Sequence, residues 1–320
     1  MQFLLAEQFQ VRKLLNNPNF SGVSMKLFST RCFLSIAAAG VLLSSSARAA
    51  TMKVSPTSPQ PGDVLTITVY PHSGEKLTAI GMAAFDTARV NFYARKDGTA
   101  RAFLGYPFDR TGGKFTLKAR VQFEKSGEEK EQILSTPVAG RARNFPTQRI
   151  TMRNSNAGKM SQTAALRKEK QHVQSKMKAS NAAPLWSGNW VTPTRGTSSS
   201  AYGRKRYVNG KWWGQHNGAD VKAPSGARVS AANSGRVVLS ENLPLLRGNC
   251  IVIDHGCNVF SIYMHLSKRS VKVGDSVAKG QKIGEVGATG FVTGAHLHWE
   301  VRIGWEPVDP NKVLKNGLNF

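Results

Sequence analysis

The chain has 320 residues and a net charge of +25, from 44 Lys and Arg against 19 Asp and Glu. Its apolar content of 40% and frequent Gly read as globular and turn-rich, which excludes a disordered or fibrous chain, and its length leaves room for two ordinary domains. The charge favours a polyanionic partner, whether nucleic acid, an anionic membrane surface or an acidic wall polymer, but the chain has no RNA-binding aromatic motif or helix-turn-helix pattern to favour nucleic acid.

Residues 1–24 read as an over-called N-terminus, with the true start at Met25. A basic n-region (Lys26, Arg31), a short apolar run from Phe33 to Leu43 and the small-x-small site Ala47-Arg48-Ala49 then read as a secretory signal over residues 25–49, cleaved near Ala49. The apolar run is too short for a stable membrane anchor. Export to the periplasm, envelope or exterior is therefore expected. Residues 1–49 hold only five of the basic residues and one acid, so the cationic balance would survive cleavage.

Residues 50–140 alternate apolar and polar positions between turns: Asp63–Tyr70, Ala88–Ala94, Ala102–Leu104 and Lys114–Val121, with turns at Lys96-Asp97-Gly98 and Thr111-Gly112-Gly113. This spacing predicts a small β-sandwich acting as an accessory domain. Residues 141–185 form a basic linker in which ten Lys and Arg face a single acid, Glu169. Ser161–Lys178 lacks Gly and Pro and is expected to be partly helical. Its apolar positions are too sparse for a strong buried stripe, which leaves two readings: a solvated linker helix, or one drawn to an anionic wall or membrane surface.

From Trp186 to the C-terminus at 320 the chain reads as a second all-β domain, an antiparallel sheet or open barrel, with short strands such as Gly235–Ser240, Cys250–Ile253, Val259–Met264 and His298–Ile303. Cys250 and Cys257 fall on one arm and near the turn of a hairpin, too far apart in extended chain for a disulfide, and read as small buried or half-buried free thiols.

Within this second domain lies Gly294-Ala295-His296-Leu297-His298-Trp299-Glu300. Residues two apart on a strand share a face, so His296 and His298 project together while Leu297 and Trp299 point into the core. A second cluster is His216-Asn217-Gly218-Ala219-Asp220, where Asn-Gly argues for a turn leading into a strand. A third is Tyr263-Met264-His265-Leu266. Two imidazoles and a carboxylate suit zinc, and three protein ligands leave a fourth position open for water, as a catalytic site requires. His255, in an Asp-His-Gly turn, reads as structural, and His72 and His172 as surface residues. Glu300 either orients His298 from the same strand face or is a solvated edge carboxylate.

These clusters do not stand alone. Together with Tyr202-Gly203-Arg204, Ala223-Pro224-Ser225-Gly226, Val252-Ile253-Asp254-His255-Gly256, Val273-Gly274-Asp275 and Gly287-Ala288-Thr289-Gly290 they occur in order over residues 186–314. In this the chain resembles the lysostaphin-like, LytM-domain zinc endopeptidases that cut peptide cross-links in peptidoglycan. The resemblance implies one zinc ion on His216, Asp220 and His298, with His265 and His296 as a catalytic pair that does not bind the metal. It implies peptidoglycan as the partner, and leaves the cross-link type and the division of labour between the two histidines open; the secretory signal opposes nucleic acid as a partner. The alternative is a catalytically inactive wall-binding regulator of another hydrolase, against which stands the presence of every ligand and both catalytic histidines. The insertion Arg204–Gln215, with Trp212 and Trp213, borders the cleft and bears on substrate preference.

Overall fold

The computed structural model describes residues 50–85, 88–152, 159, 162–177 and 183–319. The expected secretory signal, with Cys32, lies outside these residues.

The N-terminal half begins with β1 (Thr51–Ser55), β2 (Val64–Tyr70), β3 (Lys76–Ala84), β4 (Ala88–Arg89), β5 (Tyr93–Ala94), β6 (Ala100–Gly105), β7 (Gly113–Lys125) and β8 (Glu128–Gly140). They form two sheets, ordered β1-β2-β6-β5 and β4-β3-β7-β8. The alternation that predicted strands also supplies the core. Leu65, Ile67 and Val69 of β2 are buried with Leu117, Ala119, Val121 and Phe123 of β7, as expected when each strand turns every second side chain inward. The run expected as one strand over Ala88–Ala94 divides into β4 and β5, which belong to different sheets. Strands β1, β3 and β8 were not anticipated. In β8 only Leu134 and Val138 are buried, and the charged stretch before them masks the pattern.

Next come β9 (Thr147–Ile150) and α1 (Thr163–Lys176), both within the stretch read as linker. The strand pairs in parallel with β11 further on, so part of the linker is sheet. The helix is not a solvated one. Val173 and Met177 are buried against Leu239, Val252, Phe260, Ile262 and Met264.

The C-terminal half contains β10 (Thr197–Ser200), β11 (Lys205–Val208), β12 (Lys211–Gln215), β13 (Ala219–Lys222), β14 (Arg228–Ser230), β15 (Gly235–Leu243), β16 (Gly248–Asp254), β17 (Val259–Leu266), β18 (Lys268–Arg269), β19 (Ser276–Val277), β20 (Lys282–Glu285), β21 (His296–Ile303) and β22 (Glu306–Val308), and then α2 (Pro310–Asn316). Among the described residues the main sheet is antiparallel, ordered β10-β13-β21-β17-β16-β15-β19, with β22 on the free side of β21's C-terminal end. Small sheets β12-β11-β9 and β14-β20-β18 flank it. The protein is thus all-β, with two short helices among the described residues.

Both faces of the main sheet are covered. On one face Leu297, Trp299 and Val301 of β21 join Tyr263, Ile251, Ile253 and Val229 in the main core, which also takes in Phe103 of the N-terminal sandwich. On the other face β21 presents His296, His298, Glu300 and Arg302. In the paired strand β17 the partners of the last three are Met264, Ile262 and Phe260, the row beneath α1. A polar row and a helix-covered apolar row therefore lie side by side on one face. Cys250 and Cys257 are buried and unbridged.

Candidate metal centre and cleft

His216 and Asp220 reach the centre by different routes. His216 precedes β13, with its backbone N–H donating to Arg204 O at 2.9 Å and its carbonyl accepting from Gly203 N at 2.7 Å. Asp220 lies on β13 opposite His298 of β21. Between them Gly218 passes so close to β21 that a Cβ there would collide with the Trp299 carbonyl. Glycine is what allows the turn to descend onto the strand.

Three atoms converge. His216 Nε2 lies 3.0 Å from Asp220 Oδ1 and 2.9 Å from His298 Nδ1, and His298 Nδ1 lies 2.7 Å from Asp220 Oδ1. All three side chains are buried. The opposite ring nitrogens point outward to acceptors: His216 Nδ1 to Ala201 O at 2.9 Å, and His298 Nε2 to Glu300 Oε1 at 3.0 Å. Donation at those outer positions assigns each proton away from the centre. Three lone-pair atoms then face one another out of water, an arrangement that calls for a cation. Its N,O donor set fits zinc, with room for a fourth ligand on the cleft side.

The electrostatics agree with that assignment for His216 and Asp220, whereas His298 is drawn toward its cationic form by the carboxylates on either side. Burial pushes the His216 pKa down to about 4, despite Asp220. Burial would raise the Asp220 carboxyl, but hydrogen bonds from His216 and His298 outweigh it and hold Asp220 well below the usual carboxylate range. Burial also disfavours the cationic form of His298, yet the Asp220 and Glu300 carboxylates overcome it and raise its pKa. Glu300 is not a solvated edge carboxylate: it is 2% exposed. Burial works against its charge, but Arg302, whose Nε is 2.5 Å from Glu300 Oε2, together with His298 keeps it ionised.

His265 and His296 complete the cluster. Their ring centroids are 4.9 Å apart, and the His265 ring is 5.9 Å from that of His298. His296 Nε2 is 3.8 Å from Asp220 Oδ1. Each ring donates Nδ1–H to a carbonyl, His265 to Thr289 O and His296 to Gly294 O, both at 2.9 Å, which leaves each Nε2 as a lone pair. Burial holds both rings neutral by lowering their pKa values, and for His265 the neighbouring imidazoles add to the effect. The five residues singled out in the sequence thus meet at one place, in a cleft of about 480 Å³.

The remaining histidines lie away from it. His255 is fully buried, bonded to Ser234 O and Ser261 Oγ at 2.7 Å each. His172, read as a surface residue, lies 2.7 Å from Glu241 through Nε2.

Several residues at the site escaped the sequence reading. Arg206 on β11 places Nη2 2.5 Å from Asp220 Oδ2, occupying the oxygen that the histidines leave free. Gln148 on β9 accepts from Arg206 Nε and Ser200 Oγ at 3.2 and 3.1 Å. Trp213, which the sequence did place at the cleft border, stacks on the unanticipated Phe291 at 5.0 Å between ring centroids, and both line the cleft. No local spacing signals these contacts. The only hint is that the 204–215 insertion borders the site.

Comparison with known proteins agrees with this geometry. The sequence model of Peptidase family M23 matches residues 214–310. Over 98 residues the chain is 45% identical to the peptidoglycan DD-endopeptidase ShyA of Vibrio cholerae, which aligns 31% of this chain with 23% of that protein. Over 115 residues it is 39% identical to the DD-carboxypeptidase/endopeptidase Mpg of Neisseria meningitidis, covering 36% of this chain and 26% of that one. The chain thus spans about a quarter of the length of these curated relatives. In overall fold it is similar to a Pseudomonas aeruginosa chain assigned to peptidase M23, with a TM-score of 0.55 and 22% identity over 80% of this chain and 94% of that one.

Proposed function

We propose that this chain, whose residues 214–310 match the sequence model of Peptidase family M23, is an exported zinc metalloendopeptidase that hydrolyses peptide cross-links of bacterial peptidoglycan. The observation that carries this reading is the convergence of His216 Nε2, Asp220 Oδ1 and His298 Nδ1 beside two neutral, unligated histidines. The named activity of the relatives that share the domain favours D,D cross-links as the substrate.

Zinc bound there would supply a Lewis acid for the scissile carbonyl and acidify an attacking water. The protein's residues do the rest. Glu300 and the Ala201 carbonyl fix the tautomers of the two ligand imidazoles. Arg206 holds the second oxygen of Asp220. His265 and His296 each present a neutral Nε2, so one can accept the water's proton while the other, once protonated, can stabilise the oxyanion or supply a proton to the leaving amine. No glutamate base is needed.

Export rests on the signal-like residues 25–49 and on a substrate outside the cytoplasm. Residues 50–140 serve as an accessory domain to the peptidase domain at 186–320, and the exposed Arg167, Lys168 and Lys170 of α1 give the intervening segment a cationic surface toward an anionic wall or membrane. The test is digestion of purified cross-linked peptidoglycan, with zinc and with a chelator, followed by mass spectrometry of the released muropeptides. Loss of cross-linked dimers only with zinc supports the enzyme. Intact dimers under both conditions would favour the inactive wall-binding regulator.

A further inference from the structure

Glu169 is the single acid among residues 141–185, and this basic helix turns it inward on the same side as Val173. Its side chain is 6% exposed, while Arg167, Lys168 and Lys170 around it are exposed. Burying a carboxylate is costly unless it is paired and hydrogen-bonded. Here it is both: Glu169 Oε1 lies 3.0 Å from Arg247 Nη1, and the two carboxylate oxygens accept the backbone N–H groups of Arg247 and Leu246 at 3.3 Å. A helix serving only as a tether has no use for such a contact.

The contact is one step from the reacting groups. Leu246 and Arg247 line the cleft. The Arg247 carbonyl accepts the backbone N–H of His265 at 2.9 Å. His265 sits at φ +64°, a left-handed conformation uncommon for a residue with a Cβ, which persists where its surroundings over-determine it. Its ring is held from the other side by Thr289 O. The 289–291 loop is in turn tied to the same rim, with Phe291 N donating to Leu246 O at 3.0 Å. A second residue of the upstream segment grips that loop, with Lys159 Nζ donating to Gly290 O at 2.9 Å. Side chains of opposite charge from one segment thus pin the two loops between which His265 is strung.

We propose that Glu169 is a positioning residue for hydrolysis: by holding Leu246 and Arg247 from the upstream helix it fixes the left-handed His265 in its working geometry, so that the helix is part of the catalytic apparatus. This rests on the reading of His265 as catalytic.

The test uses the full chain. In Glu169→Gln, kcat on a purified cross-linked muropeptide dimer falls ~10–100-fold, as expected when a reacting group is slightly misplaced. KM stays within about twofold and bound zinc is unchanged, since no ligand is touched. In ¹⁵N-histidine spectra the Nδ1–H resonance of His265 broadens or shifts. Lys159→Met, on the other loop, has the same effects to a smaller degree and decides the matter if Glu169→Gln does not fold. Val121→Ala, a core truncation in the N-terminal sandwich, lowers stability but leaves kcat and the His265 resonance as in the parent, which separates positioning from general weakening. Wild-type kcat together with an unchanged His265 resonance in the Glu169 and Lys159 variants would overturn the proposal. A parent protein that cleaves nothing would instead overturn the proposed function, and the resonance would still report whether Glu169 positions His265.

Discussion

Asp220 and His298 are direct partners across the antiparallel pair of β13 and β21, and their side chains meet at 2.7 Å on the face of the sheet away from the main core. The register of two strands therefore sets two of the three converging atoms. A slip of β21 by one residue would turn His298 into the core, away from Asp220, and expose Leu297 and Trp299. The rigidity of the centre comes from the sheet, which is where a site needing sub-ångström placement is best built.

Ligands and unligated histidines should separate in one experiment. His216→Ala, Asp220→Ala and His298→Ala each lose zinc and hydrolysis together. His296→Ala keeps stoichiometric zinc and loses ~10²–10⁴-fold in kcat, the usual worth of a positioned acid or base. Metal analysis of the purified variants alongside muropeptide kinetics checks this. Zinc-free His296→Ala protein would place that residue among the ligands.

Glu300 links the centre to Arg302. Glu300→Gln replaces an ionised acceptor of the His298 N–H with a neutral amide and leaves the Arg302 guanidinium buried without its carboxylate partner. Zinc affinity should fall ~10–100-fold, and stability by about 3–5 kcal/mol. Chelator competition and urea unfolding of the zinc-free protein measure the two effects independently.

The reach of the sequence differs sharply along the chain. The alternation of His296 and His298 with Leu297 and Trp299 is local, and strand periodicity turns it directly into two faces, as the structure bears out. Helix α1 was harder to read. Its buried stripe is Glu169, Val173 and Met177, four residues apart, and the first of these is an acid. A hydrophobicity pattern counts that position as solvent-facing. Its burial depends on distant partners, the Leu246 and Arg247 backbone N–H groups and the Arg247 guanidinium, 77 and 78 residues away. Arg206 and Gln148 were illegible for the same reason. Their contacts with Asp220 and Ser200 depend on β9 pairing with β11 across the helix between them, a long-range event that leaves no mark on local spacing.

Acid should weaken the fold through His255. Burial lowers its pKa to about 4, from 6.5 for a free imidazole. Above pH 6.5 it is neutral folded or unfolded, and its contribution is fully present. As the pH falls the unfolded chain takes up the proton first, and stability is lost between about pH 6.5 and 4, to roughly 3 kcal/mol. His216 and His265 are lowered too, so wild type alone does not isolate the effect. Urea midpoints of wild type and His255→Gln should converge as the pH is lowered through this window. Parallel profiles would contradict the assignment.

The buried thiols offer a simple check on the core. Burial raises the pKa values of both Cys250 and Cys257 to about 12, and neither is exposed. A thiol held protonated and shielded does not react. Iodoacetamide at pH 8 should leave both unmodified in the native protein and alkylate both after denaturation, as peptide mapping will show. Rapid native alkylation at either position would mean that strand β16 or the turn before β17 opens readily.

On the proposed function, His216, Asp220 and His298 bind one zinc ion, and His265 and His296 use the site to cut cross-linked peptides. The most direct test is mass spectrometry of purified muropeptide dimers incubated with the metal-free protein, the same protein after addition of one equivalent of zinc, and zinc-treated His216→Ala. Dimers should convert to monomers only in the second sample. Conversion by the metal-free protein, or at the full rate by His216→Ala, would contradict the proposed function.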